Sequence, residues 1–365
     1  MAILLGLIVS FGLASALLLF RHRTIPHAKK RSQDYPTISV IIPARNEERN
    51  LPHLLESLKK QTIPLHEVIV VDDHSRDRTR SIAESYGVKV LTSPELPAGW
   101  TGKSWALWNG YRESSGELLI FLDADVRLSE NAIESLVQEQ QRQGGVISVV
   151  PYHITEKSYE RWAMVINLLA AFVFTSPFEN RNPQKGMFGA CIVASRADYE
   201  KIDGHRSISS EVLDDLRLGA RFQAAGIRVS NYLGSDLILF RMYPGGFRSE
   251  LEGFAKSAIP STYSLHPFTL LLVALWLVGL IASQSVFFLI GQPVFPILVL
   301  GYVAYTVEIL YFSRRVGKFG YVHPVVHVIS LLFFLVVIGY SLYQSVLRKK
   351  VIWKGRYIEV GRDES

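Results

Sequence analysis

Residues 116–130 read GELLIFLDADVRLSE. Leu118 to Leu122 form an unbroken apolar run of the length and composition of a strand buried on both faces. Two acids, Asp123 and Asp125, follow at once. A carboxylate buried there without a partner would carry a large desolvation cost. The stretch therefore predicts a strand ending where a cationic partner meets both acids.

Working outward, the same texture recurs upstream: TISVIIP (37–43), a helical NLPHLLESLKKQ (50–61), EVIVVDD (67–73), a helix after Ser75, VKVLT (88–92) and a helix from Gly102. Strands alternating with helices predict an α/β fold with a parallel sheet covered on both faces. Ligands of such open sheets sit beyond the carboxyl ends of the strands. Arg45-Asn46-Glu47, Asp72-Asp73 and Asp123-Asp125 all fall at such ends and are expected to converge on one site.

At 365 residues the chain exceeds one ordinary domain. With 48% hydrophobic and 20% charged residues, it is too apolar for a soluble domain and too polar to be wholly embedded, which fits a membrane-attached protein. The net charge of +6 sits in short basic clusters beside apolar segments, a pattern of membrane topology and not of nucleic-acid binding. A lone cysteine, Cys191, excludes an intrachain disulfide and reads as a core residue in a reducing compartment.

Residues 2–20 carry no charge and come close to spanning a hydrocarbon core as a helix. Arg21, Arg23, Lys29, Lys30 and Arg31 follow the run where a signal peptide would carry its basic residues before it. We expect a transmembrane anchor over 1–22, a cytoplasmic catalytic domain over 36–255, membrane helices over 262–348 and a basic tail over 349–365. The expected location is the cell membrane, with several crossings. Apolar segments fall near 268–290, 294–312 and 325–346. Basic residues follow both the second and the third, so one of the three is expected to be re-entrant or interfacial, or the positive-inside rule fails here. The short apolar stretch 164–178 reads as a buried or interfacial helix, because a crossing there would separate the acids before it from Asp214 and Asp215 after it.

The spacing in DADV lets both carboxylates face one hard cation, Mg²⁺ or Mn²⁺, carrying a diphosphate. Arg127 stands where an aspartyl-phosphatase motif would need Thr or Val. VVDDHSRD (70–77) supplies strand-end carboxylates, Asp72 and Asp73, able to accept from a base or ribose, with Ser75 and Asp77 as helix caps. The Gly-Lys-Ser in TGKSWALWNG (101–110) is no P-loop, since Pro97 occupies the required glycine position; Lys103 is left as a solvated helix-start lysine or a point charge near phosphates. EVLDDLRLGARFQAAG (211–226) reads as an amphipathic helix. Its first-turn acids either complement the helix dipole, or Asp215 acts as a general base. In FRMYPGGFRSELEGF (240–254), Arg241 and Arg248 are either juxtamembrane cations or part of a loop closing over a diphosphate.

Taken in order, IIPARNEE, VVDDHSRD, GKSWALWNG, DADV and LDDLRLG resemble the family 2 glycosyltransferases. The resemblance implies the GT-A fold, a Rossmann-like nucleotide-diphospho-sugar transferase with a mainly parallel sheet. PYHIT, FRMYPGGF and the late WKGR further resemble the 4,4'-diaponeurosporenoate glycosyltransferases of C30 carotenoid synthesis. This closer resemblance implies inverting transfer of glucose from UDP-glucose to a carotenoid carboxylic acid, in a membrane and among other carotenoid-pathway enzymes. It implies donor contacts from Pro43, Arg45, Glu47, Asp72, Asp73, Lys103, Asp123 and Arg241, a metal at Asp123 and Asp125, and catalysis by Asp215 with Asp214. Gly253-Phe254 stand where processive synthases carry Arg-Trp, which favours transfer of a single sugar.

Two alternatives remain: a hydroxyl-bearing lipid (ceramide, hopanoid, diacylglycerol or polyprenyl phosphate) as acceptor, and a non-catalytic nucleotide-sugar-binding membrane scaffold. A carboxylic acid of pKa ~4 is already ionised at neutral pH, whereas a hydroxyl needs a base.

Overall fold

The computed structural model describes residues 2–29, 34–211, 213–256, 264–344, 350–353 and 356–359. The chain runs α1 (Ala2–Leu19), β1 (Ile38–Ala44), α2 (Leu51–Lys59), β2 (Glu67–Asp72), α3 (Thr79–Ser85), β3 (Lys89–Thr92), α4 (Gly102–Arg112), β4 (Leu118–Leu122), β5 (Val126–Leu128), α5 (Ala132–Gln143), β6 (Val146–Val150), β7 (Tyr152–His153), α6 (Met164–Thr175), β8 (Cys191–Ser195), α7 (Arg196–Lys201), α8 (Asp214–Ala224), β9 (Val229–Leu233), β10 (Ile238–Phe240), α9 (Phe247–Ala255), α10 (Pro267–Ser283), α11 (Phe295–Val316), α12 (Val322–Val325), α13 (His327–Leu342), β11 (Lys350–Trp353) and β12 (Arg356–Glu359). Of the expected basic tail, only the backbone of the β11–β12 hairpin lies within the described residues, and Lys30 and Arg31 lie outside them.

Every residue of β4 is buried, as an apolar run with helices on both faces demands. Its neighbours give a seven-stranded sheet in the order β3-β2-β1-β4-β8-β6-β9. Pairing is parallel across β3, β2, β1 and β4 and again between β6 and β9, while β8 runs antiparallel to both β4 and β6. The expected parallel sheet thus holds with one reversal, which has a consequence for the site. Cys191 pairs with Leu122, so the chain enters β8 from the carboxyl end of β4 and lays the preceding residues over the strand tips. Burying each large aliphatic of such a strand favours the fold by roughly 1.5–3 kcal/mol. Cys191 is buried in β8, a core residue as expected. A small sheet, β5-β10-β7, stands beside the large one.

α6 packs between the large sheet (β6, β9) and the apolar helices α1, α10, α11 and α13. Met164, Val165, Leu168, Ala171 and Phe172 of α6 are fully buried, and Phe172 meets Phe20, Trp276 and Phe312 edge-on. With the helical turns that flank it, the segment Tyr159–Arg181 is long and apolar enough to cross a membrane, as are Pro267–Phe287 and Phe295–Val316. The apolar helices Ile3–Leu19 and His327–Leu342 are shorter.

Both α1 and α11 end on the α/β part of the chain: Leu233 N donates to Arg23 O at 2.7 Å, and Lys318 N donates to His153 O at 2.7 Å. α13 begins at the other end of α10, where His327 Nε2 lies 2.9 Å from Gln284 Nε2 and the imidazole stacks on Tyr302 at 4.4 Å. It then descends against α9 and residues 159–163. Residues 317–326 are the return path, so α11 and α13 end on the same side. That geometry accounts for basic residues following both.

Candidate active site

The carboxyl ends of β1, β2 and β4 lie side by side because their registers are parallel, with Ala44 opposite Asp72 and Ile41 opposite Phe121. The loops that follow are stitched together. Asn46 N donates to Ser75 Oγ at 3.0 Å, Arg76 N to Asn46 Oδ1 at 2.8 Å, and Glu48 N to Asp77 Oδ2 at 3.1 Å. Glu47 N donates to Thr79 Oγ1 at 2.7 Å. Asn46 and His74 both take φ of 53°, a left-handed turn that asparagine tolerates better than most residues. Ser75 therefore ties one loop to the other instead of capping α3. Asp77 accepts from Thr79 N at 3.0 Å in a local turn just before α3, whose N-cap position is Arg78, so it does not cap the helix as expected.

Arg45 Nη1 donates to Asp73 O at 2.6 Å and lies 3.5 Å from Asp73 Oδ2. Pro43, Arg45, Glu47 and Asp73 all line one cavity of about 1140 Å³. Asp72 points away from it and accepts from Ser75 N at 3.2 Å. Successive residues of a strand face opposite ways, so adjacent acids could not both reach the cavity.

Lys103 lies in the first turn of α4, whose start Thr101 caps by accepting from Ser104 N. Its ammonium sits 2.9 Å from Asp123 Oδ1 and 3.9 Å from Asp215 Oδ1. These acids, with Asp214, hold its pKa well above the usual lysine value despite burial. Of the two readings, the structure supports a charge in the site over a solvated lysine. Ser104 Oγ donates to the buried Asp214 Oδ2 at 3.3 Å, fixing the start of α8 against the start of α4.

Asp214 and Asp215 open α8, as the amphipathic pattern predicts. Burial, reinforced by Asp214, pushes the Asp215 carboxyl up to about 7, with Lys103 opposing. Sequence reasoning missed the glycine under it. A Cβ on Gly189 would lie 1.8–2.1 Å from the Asp215 carboxylate, so only glycine leaves the group its place. Gly189 belongs to the segment that β8's reversed entry lays over the site.

Asp123 and Asp125 both line the cavity, in the turn after β4, where Val126 N donates to Asp123 O. Two carboxylates suit a hard divalent cation whose remaining ligands are diphosphate and water oxygens. Among the described residues no cluster of three or more His, Cys, Asp or Glu could hold a metal alone. The donor set therefore fits a metal that arrives with its phosphates.

Arg241 is not brought to the cavity. Its guanidinium lies 2.7 Å from Glu156 Oε2 and 2.8 Å from Glu160 Oε1, pinning β10 to the start of the α6 region. Arg248 pairs with Glu252 on the exposed face of α9. The stretch after Tyr243 thus forms a turn and a helix, not a free loop over phosphates. Gly253, in place of the Arg of processive enzymes, faces the Tyr243 ring, which a Cβ would meet at 2.2 Å.

Beyond the acids, the same cavity continues between α6, α10 and α13, lined by Leu169, Val173, Val273, Leu277, Phe334 and Ile338 among others. Aliphatic residues dominate the α10 wall; Trp276 of that helix is buried against α6 and α11, and Phe268 is exposed. Glu308 of α11 accepts from Trp276 Nε1 at 2.9 Å.

Comparison with known proteins adds three findings. The family model described as "Glycosyl transferase family 2" matches residues 39–202. The 4,4'-diaponeurosporenoate glycosyltransferase of Staphylococcus aureus (strain USA300) is similar at 33% identity over 371 residues, covering 99% of this chain and 98% of that protein. The protein of the same name from strain MRSA252 gives the same identity and coverage. Among solved structures, mannosyltransferase PcManGT from Pyrobaculum calidifontis, in complex with GDP-Man and Mn²⁺, has a TM-score of 0.58 at 15% identity, covering 94% of this chain and 99% of that one. That likeness speaks to the fold.

Proposed function

Because the chain belongs to the family 2 glycosyltransferases, we propose that it moves one hexose, glucose from UDP-glucose, onto the carboxylate of a C30 carotenoid acid, 4,4'-diaponeurosporenoate. The observation that carries this reading is the single cavity in which strand-tip acids at one end open onto walls of α6, α10 and α13 at the other. A rod-shaped apolar acceptor with a polar head matches both ends. The proposed layout is an anchor over 1–22, a cytoplasmic catalytic domain over 36–255 and membrane helices over 262–348.

In the proposed reaction one carboxylate oxygen of the acceptor forms a bond to the anomeric carbon as the bond from that carbon to the diphosphate oxygen breaks. The electron pair leaves on the diphosphate, no proton moves, and single-step attack inverts the centre. Mg²⁺ or Mn²⁺ held by Asp123 and Asp125 would neutralise charge growing on the diphosphate. Arg45 and Asp73 brace the loop that faces the nucleoside, and Lys103 sets the spacing between Asp123 and Asp215.

A second reading, a hydroxyl-bearing lipid acceptor, is favoured by the carboxyl of Asp215, which at about 7 is poised as a base should be. Asp215→Asn separates the two. With membranes, UDP-glucose and the carotenoid acid, and product identified by mass spectrometry, the carboxylate reading expects less than tenfold loss. It also expects a flat rate between pH 6 and 8, since that acceptor stays ionised throughout. A hydroxyl acceptor needs ionised Asp215, so its transfer would rise with pH through about 7 and fall by ~10² to 10⁴ in the variant.

A further inference from the structure

Four cations are found among the described residues that line the cavity: Arg45, Arg49, Lys103 and Lys256. The first two stand at the nucleotide end, in the loop after β1, and Lys103 is held between Asp123 and Asp215. Lys256 is placed differently. It caps α9, whose last residue, Ala255, is buried against Phe333 and Val337 of α13. Its charge also reaches Asp214, Asp215 and Asp123. Lys256 therefore stands at the neck, where the acidic half of the cavity meets the apolar half.

A carboxylate entering from the apolar side approaches an end of the cavity lined by Asp123, Asp125, Asp214 and Asp215, and a cation at the entrance favours its arrival. We infer that Lys256 reads the acceptor's carboxylate, pairing its ammonium with the acid head while its methylene stem lies along the apolar wall. This rests on the carboxylate acceptor proposed above. Lysine suits the place because a compact charge on a flexible apolar stem can bridge grease and polar groups. The α9 backbone beneath it is set by packing, with Phe254 crossing the rings of Tyr243 and Phe333 edge-on.

The test compares wild type, Lys256→Met and Lys256→Arg as full-length protein in membranes, with UDP-glucose and two acceptors sharing one polyene, the acid and its primary alcohol. In Lys256→Met the KM for the acid should rise at least about tenfold, as loss of a charged hydrogen bond implies. The KM for UDP-glucose should stay within twofold, the preference for acid over alcohol should collapse, and Lys256→Arg should recover most of the loss. An unchanged acid KM in Lys256→Met, or donor and acid KM values rising together, would overturn the inference. A wild type that glucosylates the alcohol and not the acid would overturn the carboxylate reading, and this inference with it.

Discussion

At its polar end the cavity is walled by loops locked to one another through hydrogen bonds, with Asn46, Ser75 and Asp77 exchanging contacts across two strand tips. At its apolar end it is walled by Leu277, Phe334 and Ile338, side chains held by packing alone. The first kind of wall fixes polar atoms at set positions and would suit the proposed nucleotide donor. The second accepts any apolar rod of suitable width. Donor choice should therefore be sharp and sensitive to single atoms, and acceptor choice should depend on the neck and on gross shape.

The hardest blow to this contrast is Asp125→Ala. It should lower transfer by about 10³-fold and weaken donor binding, since charge neutralisation at the diphosphate supplies several kcal/mol. A chelator should do the same to the unaltered protein, reversibly on adding Mn²⁺ or Mg²⁺. Unchanged donor affinity in the variant would end the claim that strand-tip carboxylates hold a metal diphosphate.

Next in size is Gly189→Ala, whose methyl would displace the Asp215 carboxylate. The expected loss follows that of Asp215→Asn: less than about tenfold in kcat with the acid, which gives Asp215 no proton to take, and about 10² with a hydroxyl acceptor, with donor KM unchanged in both. A normal kcat with the hydroxyl acceptor would show that Asp215 need not sit where it does.

Smallest is Ala274→Trp on the α10 wall. Acceptor KM should rise about tenfold while the KM for UDP-glucose stays the same, because a bulkier wall narrows the apolar half alone. Equal changes in both constants would mean the two halves are not separable.

Arg45, Asp73, Asp123 and Asp125 line one cavity, a convergence legible in the sequence because each follows a strand and the carboxyl ends of parallel strands must lie together. Asp72 failed to join them for an equally local reason, the alternation of side chains along a strand. Arg241 was expected at the donor and instead binds Glu160, a pairing across 81 residues that no local pattern announces. Gly189 carries no signal of its own, because its necessity arises from a carboxylate contributed by a different helix. Lys256 falls just beyond FRMYPGGFRSELEGF, where Arg241 and Arg248 drew attention as phosphate binders.

The α/β class, the apolar segments and the acids at the strand tips can be read from amino-acid order alone, since each follows from burial periodicity within a few residues of chain. The packing of distant segments settled the rest: the strand-tip acids and the apolar helices α6, α10 and α13 line one cavity, and β8 runs backwards to lay Gly189 over it. Those features depend on which distant segments touch. Side-chain periodicity records which face of an element is buried, but not what it is buried against.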